Sequence, residues 1–108
     1  MQRYGMLIRL RPEKRDEYIR LHADTWPGVL AANHACNIRN FSIYHRDGLL
    51  FGYLEYIGDD FAADMACMAT DPEVQRWWEI TDACQQPIDS LKPDERWWAI
   101  MHEVFHQD

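Results

Sequence analysis

A chain of 108 residues, 47% apolar and 27% charged, is expected to form one globular domain (1–108) that buries roughly two-thirds of its unfolded surface. Its formal charge of −7 argues against a nucleic-acid partner, and the basic residues Arg9, Arg11, Lys14 and Arg15 are interleaved with Glu13, Asp16 and Glu17. With no apolar signal core, no apolar run near ~18 residues and three cysteines (Cys36, Cys67, Cys84) lacking any Cys-x-x-Cys, a cytoplasmic protein with reduced thiols and no membrane partner is expected.

The predicted elements begin with a strand over Tyr4–Leu10, stopped by Pro12. A charged helix with an apolar stripe follows over Glu13–Ala23. Pro27 cannot sit inside that helix and pushes Trp26 out of helical dihedrals, so the helix kinks there and a second one runs from Pro27 to about His34. Two β-rich runs, Asn40–His45 and Leu50–Tyr56, flank Asp47-Gly48, the pair a type I′ turn requires, which sets Arg46 opposite Leu49. One face of this hairpin then carries Phe41, Ile43, His45, Leu50, Gly52, Leu54 and Tyr56 and should lie under helices. The other carries Asn40, Ser42, Tyr44, Phe51, Tyr53 and Glu55, amphipathic enough for a subunit interface. A helix from about Asp60 shows Phe61, Met65 and Met68 at helical spacing. Asp71-Pro72 starts another, which carries Trp77-Trp78 and ends near Cys84. After a loop containing Pro87 and Pro93, Trp97–Phe105 is expected as a last strand, with Trp97 and Trp98 packing on opposite faces of the sheet. The order βα(α)ββα(α)β describes an α+β ferredoxin-like sandwich with a four-stranded antiparallel sheet and helices on one face.

Tyr18 and His22 share a helical face, with Trp26 at i+8. Tyr and Trp on such a stripe can be core alone. A buried imidazole, however, needs a hydrogen-bond partner, and its ordinary pKa near neutrality suits acid–base work. Trp77 and Trp78 point about 100° apart on their helix, as core anchors or as a surface for the C–H face of a pyranose. No metal site is expected. His102 and His106, if in a strand, stand ~13 Å apart, and His34 and His45 lack ligand spacing. Neither a phosphate loop nor a nucleophile elbow is present, and Cys36 beside Asn37 has nothing to activate it.

Taken in order, His22-x3-Trp26-Pro27, Asn40-Phe41-Ser42-Ile43-Tyr44, Leu50-Phe51-Gly52-Tyr53-Leu54-Glu55, Arg76-Trp77-Trp78 and Glu103-Val104-Phe105 resemble the L-rhamnose mutarotase family along essentially the whole chain. The resemblance implies a homodimeric α+β barrel of ferredoxin-like subunits that interconverts sugar anomers without metal or cofactor. It also implies His22 as proton donor and Tyr18, Trp77 and Trp78 as sugar-binding residues. Phe41 stands where the family usually has Tyr, keeping the ring and losing the hydroxyl, so L-fucose is the alternative sugar to L-rhamnose. Trp26 joins the expected substrate-binding set, and Gly52 is expected to leave room above the sheet beside Phe41. No partner base is identified: Glu55 falls on the outer face, and Glu103 can be assigned to neither. Two readings of other classes stand beside this one. They are a haem- or quinone-handling barrel with His22 as axial ligand, and a non-catalytic sugar-binding module.

Overall fold

The computed structural model describes residues 1–108. Strand β1 (Gln2–Leu10) leads through a 3-10 turn (Pro12–Lys14) into α1 (Arg15–Ala23) and α2 (Pro27–Ala35). The hairpin β2 (Ile38–Arg46) and β3 (Leu49–Tyr56) follows, then α3 (Phe61–Met68), α4 (Pro72–Cys84) and the short strands β4 (Gln85–Gln86) and β5 (Ala99–Met101). The antiparallel sheet has the order β2-β3-β1-β4, with β5 also paired to β1. This is the expected ferredoxin-like α+β sandwich, except that two short strands share the fourth position.

The local signals act where the residues place them. Pro27 opens α2, and Trp26 before it is extended at φ −60°, ψ 134°, so the expected kink is a full break between two helices. The Asp60 side chain accepts from the Ala63 amide, and that of Asp71 accepts from the Glu73 and Val74 amides. These bonds satisfy helix-start N–H groups that have no partner within the helix. Asp47 and Gly48 both have positive φ (54° and 75°), and Arg46 pairs with Leu49. That is the I′ geometry.

One face of the sheet is covered by helices. From β1 it contributes Met6, Ile8 and Leu10, and from β3 Leu50, Leu54 and Tyr56, all buried. The hairpin faces are as the alternation required, with one addition. Between Arg39↔Glu55 and Ser42↔Tyr53 the register slips, so Asn40 and Phe41 together oppose Leu54. Asn40 sits at the bulge with φ 49°, a conformation asparagine tolerates better than most residues. The extra residue turns Ile38 onto the helix face, where it is buried beside Tyr56. Without the bulge, strict alternation would send Ile38 outward.

Two expectations about the chain's end are corrected. The strand read over Trp97–Phe105 shrinks to Ala99–Met101, so His102 and His106 lie in irregular chain and not in a strand. Trp97 and Trp98 precede that strand and do not straddle the sheet. Trp97 packs on the cluster of Ile8, Leu10, Tyr18, Leu50 and Cys84, and Trp98 touches both core clusters. The indole N–H of Trp97 explains its placement, because it donates to the Gln85 side-chain oxygen Oε1 at 2.8 Å.

The bulge gives a direct test. Asn40→Val should lower unfolding stability by about 1–2 kcal/mol, the cost of a β-branched residue in left-handed backbone. Asn40→Gly should lose only an exposed hydrogen bond to Glu55 and stay nearer to wild type in urea denaturation. Equal losses in both variants would contradict the bulge.

Candidate active site

Between the helix layer and the β2 side of the sheet lies a cavity of about 700 Å³ with mostly apolar walls. Its place follows from the topology. β2 is the edge strand, and its inward residues Phe41, Ile43 and His45 stay exposed or half-buried where those of β1 are covered. Tyr18, His22, Phe41, Trp77 and Trp78 all line this cavity.

His22 is oriented by its own helix. Its Nδ1 lies 2.9 Å from the Tyr18 carbonyl oxygen one turn earlier. A carbonyl can only accept, so Nδ1 carries the proton. In the neutral ring Nε2 is therefore the unprotonated nitrogen. Burial lowers the His22 pKa, opposed by that backbone bond. The ring is thus neutral at pH 7 and offers a proton acceptor to the cavity. Tyr18 packs on it at 4.2 Å between centroids, and Trp77 meets it edge-on at 5.1 Å. An aromatic wall fixes the imidazole on two sides.

Tyr18 is buried, and its hydroxyl oxygen accepts from Gln85 Nε2 at 2.9 Å. Since Gln85 also accepts from Trp97, its amide is locked with the nitrogen toward Tyr18. The phenolic proton has no protein acceptor and is free to be donated to a ligand. Burial pushes the phenol's pKa far upward, with the Gln85 bond opposing, so the group stays neutral.

The three tryptophans expected at the site differ in placement. Trp77 is buried and Trp78 half-buried. Both are therefore core anchors as well as cavity wall. One face of Trp78 is already taken, because the Arg96 guanidinium lies 4.5 Å above its ring centroid. Trp26 is outside the lining; it packs edge-on against Trp77 at 5.2 Å, held there by the break before Pro27. The room expected over Gly52 is filled. A Cβ there would stand 3.0 Å from the Met6 methyl and 3.4 Å from Trp98, so the glycine admits an indole to the core.

Sequence reasoning missed Asp82, Gln85, Arg96 and Trp98. Helical spacing could have found two of them: Trp78–Asp82 is an i, i+4 pair on α4, and Gln85 follows Trp77 and Thr81 at the same interval, one residue past the helix end. Arg96 and Trp98 arrive from an irregular strap after β4, for which no periodic signal exists. No three His, Cys, Asp or Glu side chains lie close enough together to hold a metal ion.

The fold and its aromatic cavity define the class: a two-layer ferredoxin-like α+β domain with a histidine-bearing pocket under its edge strand. In overall backbone it is similar to the crystal structure of an L-rhamnose mutarotase from Formosa agariphila (TM-score 0.77, 20% identity, all of both chains). It is also similar to tetracenomycin F2 cyclase, a type-II polyketide cyclase from Streptomyces glaucescens (TM-score 0.69, 16% identity, 100% of this chain and 98% of that one). Such likenesses fix the fold alone, since one fold carries unrelated chemistries. Sequence decides further. Residues 3–107 match the family described as L-rhamnose mutarotase. Relatives of that name include those of Opitutus terrae (34% identical, 85% of each chain) and Sinorhizobium fredii (31%, 98% of each). Another, from Oceanobacillus iheyensis, is 29% identical over the whole of both chains. This chain belongs to the L-rhamnose mutarotase family.

Gln85 provides the test of this architecture. Gln85→Leu should cost about 1–3 kcal/mol of stability, because the Trp97 N–H loses its acceptor inside the fold. Urea denaturation would read it, and a cost under about 0.5 kcal/mol would mean water replaces the amide there.

Proposed function

We infer that this chain is a carbohydrate isomerase that interconverts the α and β anomers of a 6-deoxyhexose, L-rhamnose first and L-fucose second. Family membership supports the reaction class and favours it over the haem-handling and non-catalytic readings. The observation that carries the mechanism is His22, neutral, tethered through Nδ1 and free at Nε2 beside the cavity.

Mutarotation removes the proton from the anomeric O1 hydroxyl and returns one to the ring oxygen O5. Nε2 of His22 takes the O1 proton; as the C1=O1 bond forms, the C1–O5 bond breaks and its electron pair stays on O5. The imidazolium gives its proton to O5. Rotation about C1–C2 presents the other face of the aldehyde, and the same steps in reverse close the ring. O1 and O5 are both bonded to C1, so one imidazole serves both transfers and no separate base is required. Such acid–base assistance is typically worth ~10²–10⁴ in rate. The Tyr18 O–H donates to a sugar oxygen, Trp77 and Trp78 wall the ring, and Phe41 packs against carbon from the sheet side. Trp26 acts through Trp77 as a positioning residue.

The outer face of the sheet supports a homodimer. Tyr44 is 65% and Phe51 36% exposed there, with no element of the same chain covering them. A two-fold pairing through this face closes the barrel. No helix is long and apolar enough to cross a membrane, and the three free thiols suit a reducing compartment such as the cytoplasm.

Saturation transfer between the α and β anomeric proton lines of L-rhamnose and L-fucose tests the activity. His22→Ala should lose at least ~10²-fold in exchange while remaining folded. Retention of most of the rate would remove His22 from the reaction. The pH profile carries a sign. His22 is depressed below its ordinary value near 6.5, so exchange is full at pH 7 and falls as pH drops through the folded pKa. The unfolded chain binds that proton more readily, so folding stability also declines below about pH 6.5. Both trends should be absent from His22→Ala; a rate that rises on acidification would contradict the base role. Sedimentation at micromolar concentration should give a dimer, and Tyr44→Glu with Phe51→Glu a monomer. A monomeric wild type would overturn the pairing.

A further inference from the structure

At the end of the cavity walled by Trp78, the side chains of Asp82 and Arg96 meet. Arg96 Nη2 donates to Asp82 Oδ2 at 3.0 Å while its guanidinium covers the Trp78 ring. Asp82 stands one turn after Trp78 on α4, and Arg96 is delivered by the strap between β4 and β5. The Glu95 carboxylate fixes that strap, accepting from the Lys92 amide at 2.8 Å and the Ile100 amide at 2.5 Å. Both Asp82 and Arg96 line the same cavity as His22 and Tyr18.

Most other polar groups of the cavity are committed within the protein. Gln85 is shared between Tyr18 and Trp97, the Thr81 hydroxyl bonds the Trp78 carbonyl, and the Thr25 hydroxyl bonds the His22 carbonyl. His45 Nε2 accepts from the Gly48 amide. Asp82 Oδ1, by contrast, has no protein partner, and Arg96 keeps N–H groups beyond the one it gives to Asp82. An acceptor therefore stands beside donors on a firm aromatic base. The side chains are 32% and 55% exposed, and an ion pair that open contributes little to stability. Stability alone does not account for it. Burial raises the Asp82 pKa and Arg96 opposes it.

We propose that Asp82 and Arg96 are the specificity-determining pair of this site, a clamp for sugar hydroxyls remote from the anomeric carbon. Each sugar hydroxyl both donates and accepts. Two neighbouring ones match a carboxylate oxygen and a guanidinium N–H set side by side, and the relative orientation of those hydroxyls distinguishes one deoxyhexose from another. The apolar remainder of the wall discriminates weakly, whereas a site built to pair a hydroxyl rejects a sugar that cannot offer it. This assignment rests on the mutarotase reading and names which residues choose the substrate.

The test compares wild type with Asp82→Asn and Arg96→Met on L-rhamnose and L-fucose. KM and the limiting rate come from anomer exchange, and Kd from tryptophan fluorescence. Each substitution should raise KM and Kd for the preferred sugar about ten- to a hundred-fold, as expected for losing a hydrogen bond to a charged group. The limiting rate should stay within about threefold, since His22 is untouched, and the preference between the two sugars should shrink. A lower thermal midpoint with Kd and preference unchanged would mean a structural pair and overturn the proposal. So would two folded variants with KM within twofold of wild type; in that outcome wild-type exchange still stands and the mutarotase reading survives. Wild type that neither binds nor exchanges either sugar would overturn both.

Discussion

The hydrogen bond from His22 Nδ1 to the carbonyl of Tyr18, closed within one turn of α1, fixes the orientation of the ring and leaves Nε2 as the unprotonated nitrogen of its neutral form. A helix carbonyl normally accepts from the amide four residues on, and taking a side-chain proton as well uses its second lone pair. The bond therefore interrupts nothing in α1 while it selects one tautomer. Burial against Tyr18 and Trp77 then keeps that tautomer uncharged. A free histidine would populate both tautomers and a mobile ring. Here the fold itself sets the orientation, the preorganisation that the proposed proton transfer calls for.

The rest of the fold supports that arrangement from two sides. From α4 come Trp77 against the imidazole and Trp78 and Asp82 toward the strap, while Gln85, just past the helix end, reaches Tyr18 of α1. Helical spacing makes these two stripes adjacent, so one element lines both the His22 end and the Asp82–Arg96 end of the cavity. From the sheet, the bulge at Asn40–Phe41 lets β2 bury Ile38 at its start and still present Phe41 to the cavity. The strap closes the structure by lodging Trp98 over Gly52 and hooking Trp97 onto Gln85. Core packing and site construction thus use the same side chains.

What could be read from the residues alone was whatever depends on neighbours in sequence. Asp47-Gly48 fixed the hairpin because its turn chemistry is local, and Asp71-Pro72 fixed the start of α4 for the same reason. Tyr18 and His22 could be paired because four residues make one turn. Matters that depend on distant contacts were hidden. Aromatic, β-prone residues at Trp97–Phe105 suggested a long strand, yet the partner strand β1 is already occupied near one end by Gln85–Gln86, and only Ala99–Met101 finds a ladder. The glycine at 52 marked a close approach correctly in kind but not in occupant, since an indole from 46 residues further on is invisible to local pattern. Asp82 and Arg96 were likewise separated by a loop with no periodicity, and only the folded chain brings them together.

The central claim is that His22 enters the reaction as a neutral imidazole with its proton on Nδ1. Long-range proton–nitrogen correlation spectra of the ¹⁵N-labelled protein at pH 7 read this without any substrate. The account predicts a protonated Nδ1 and a bare Nε2 for His22, with the bare-nitrogen signal moving when sugar is added. A proton on Nε2, or an imidazolium at that pH, would contradict it.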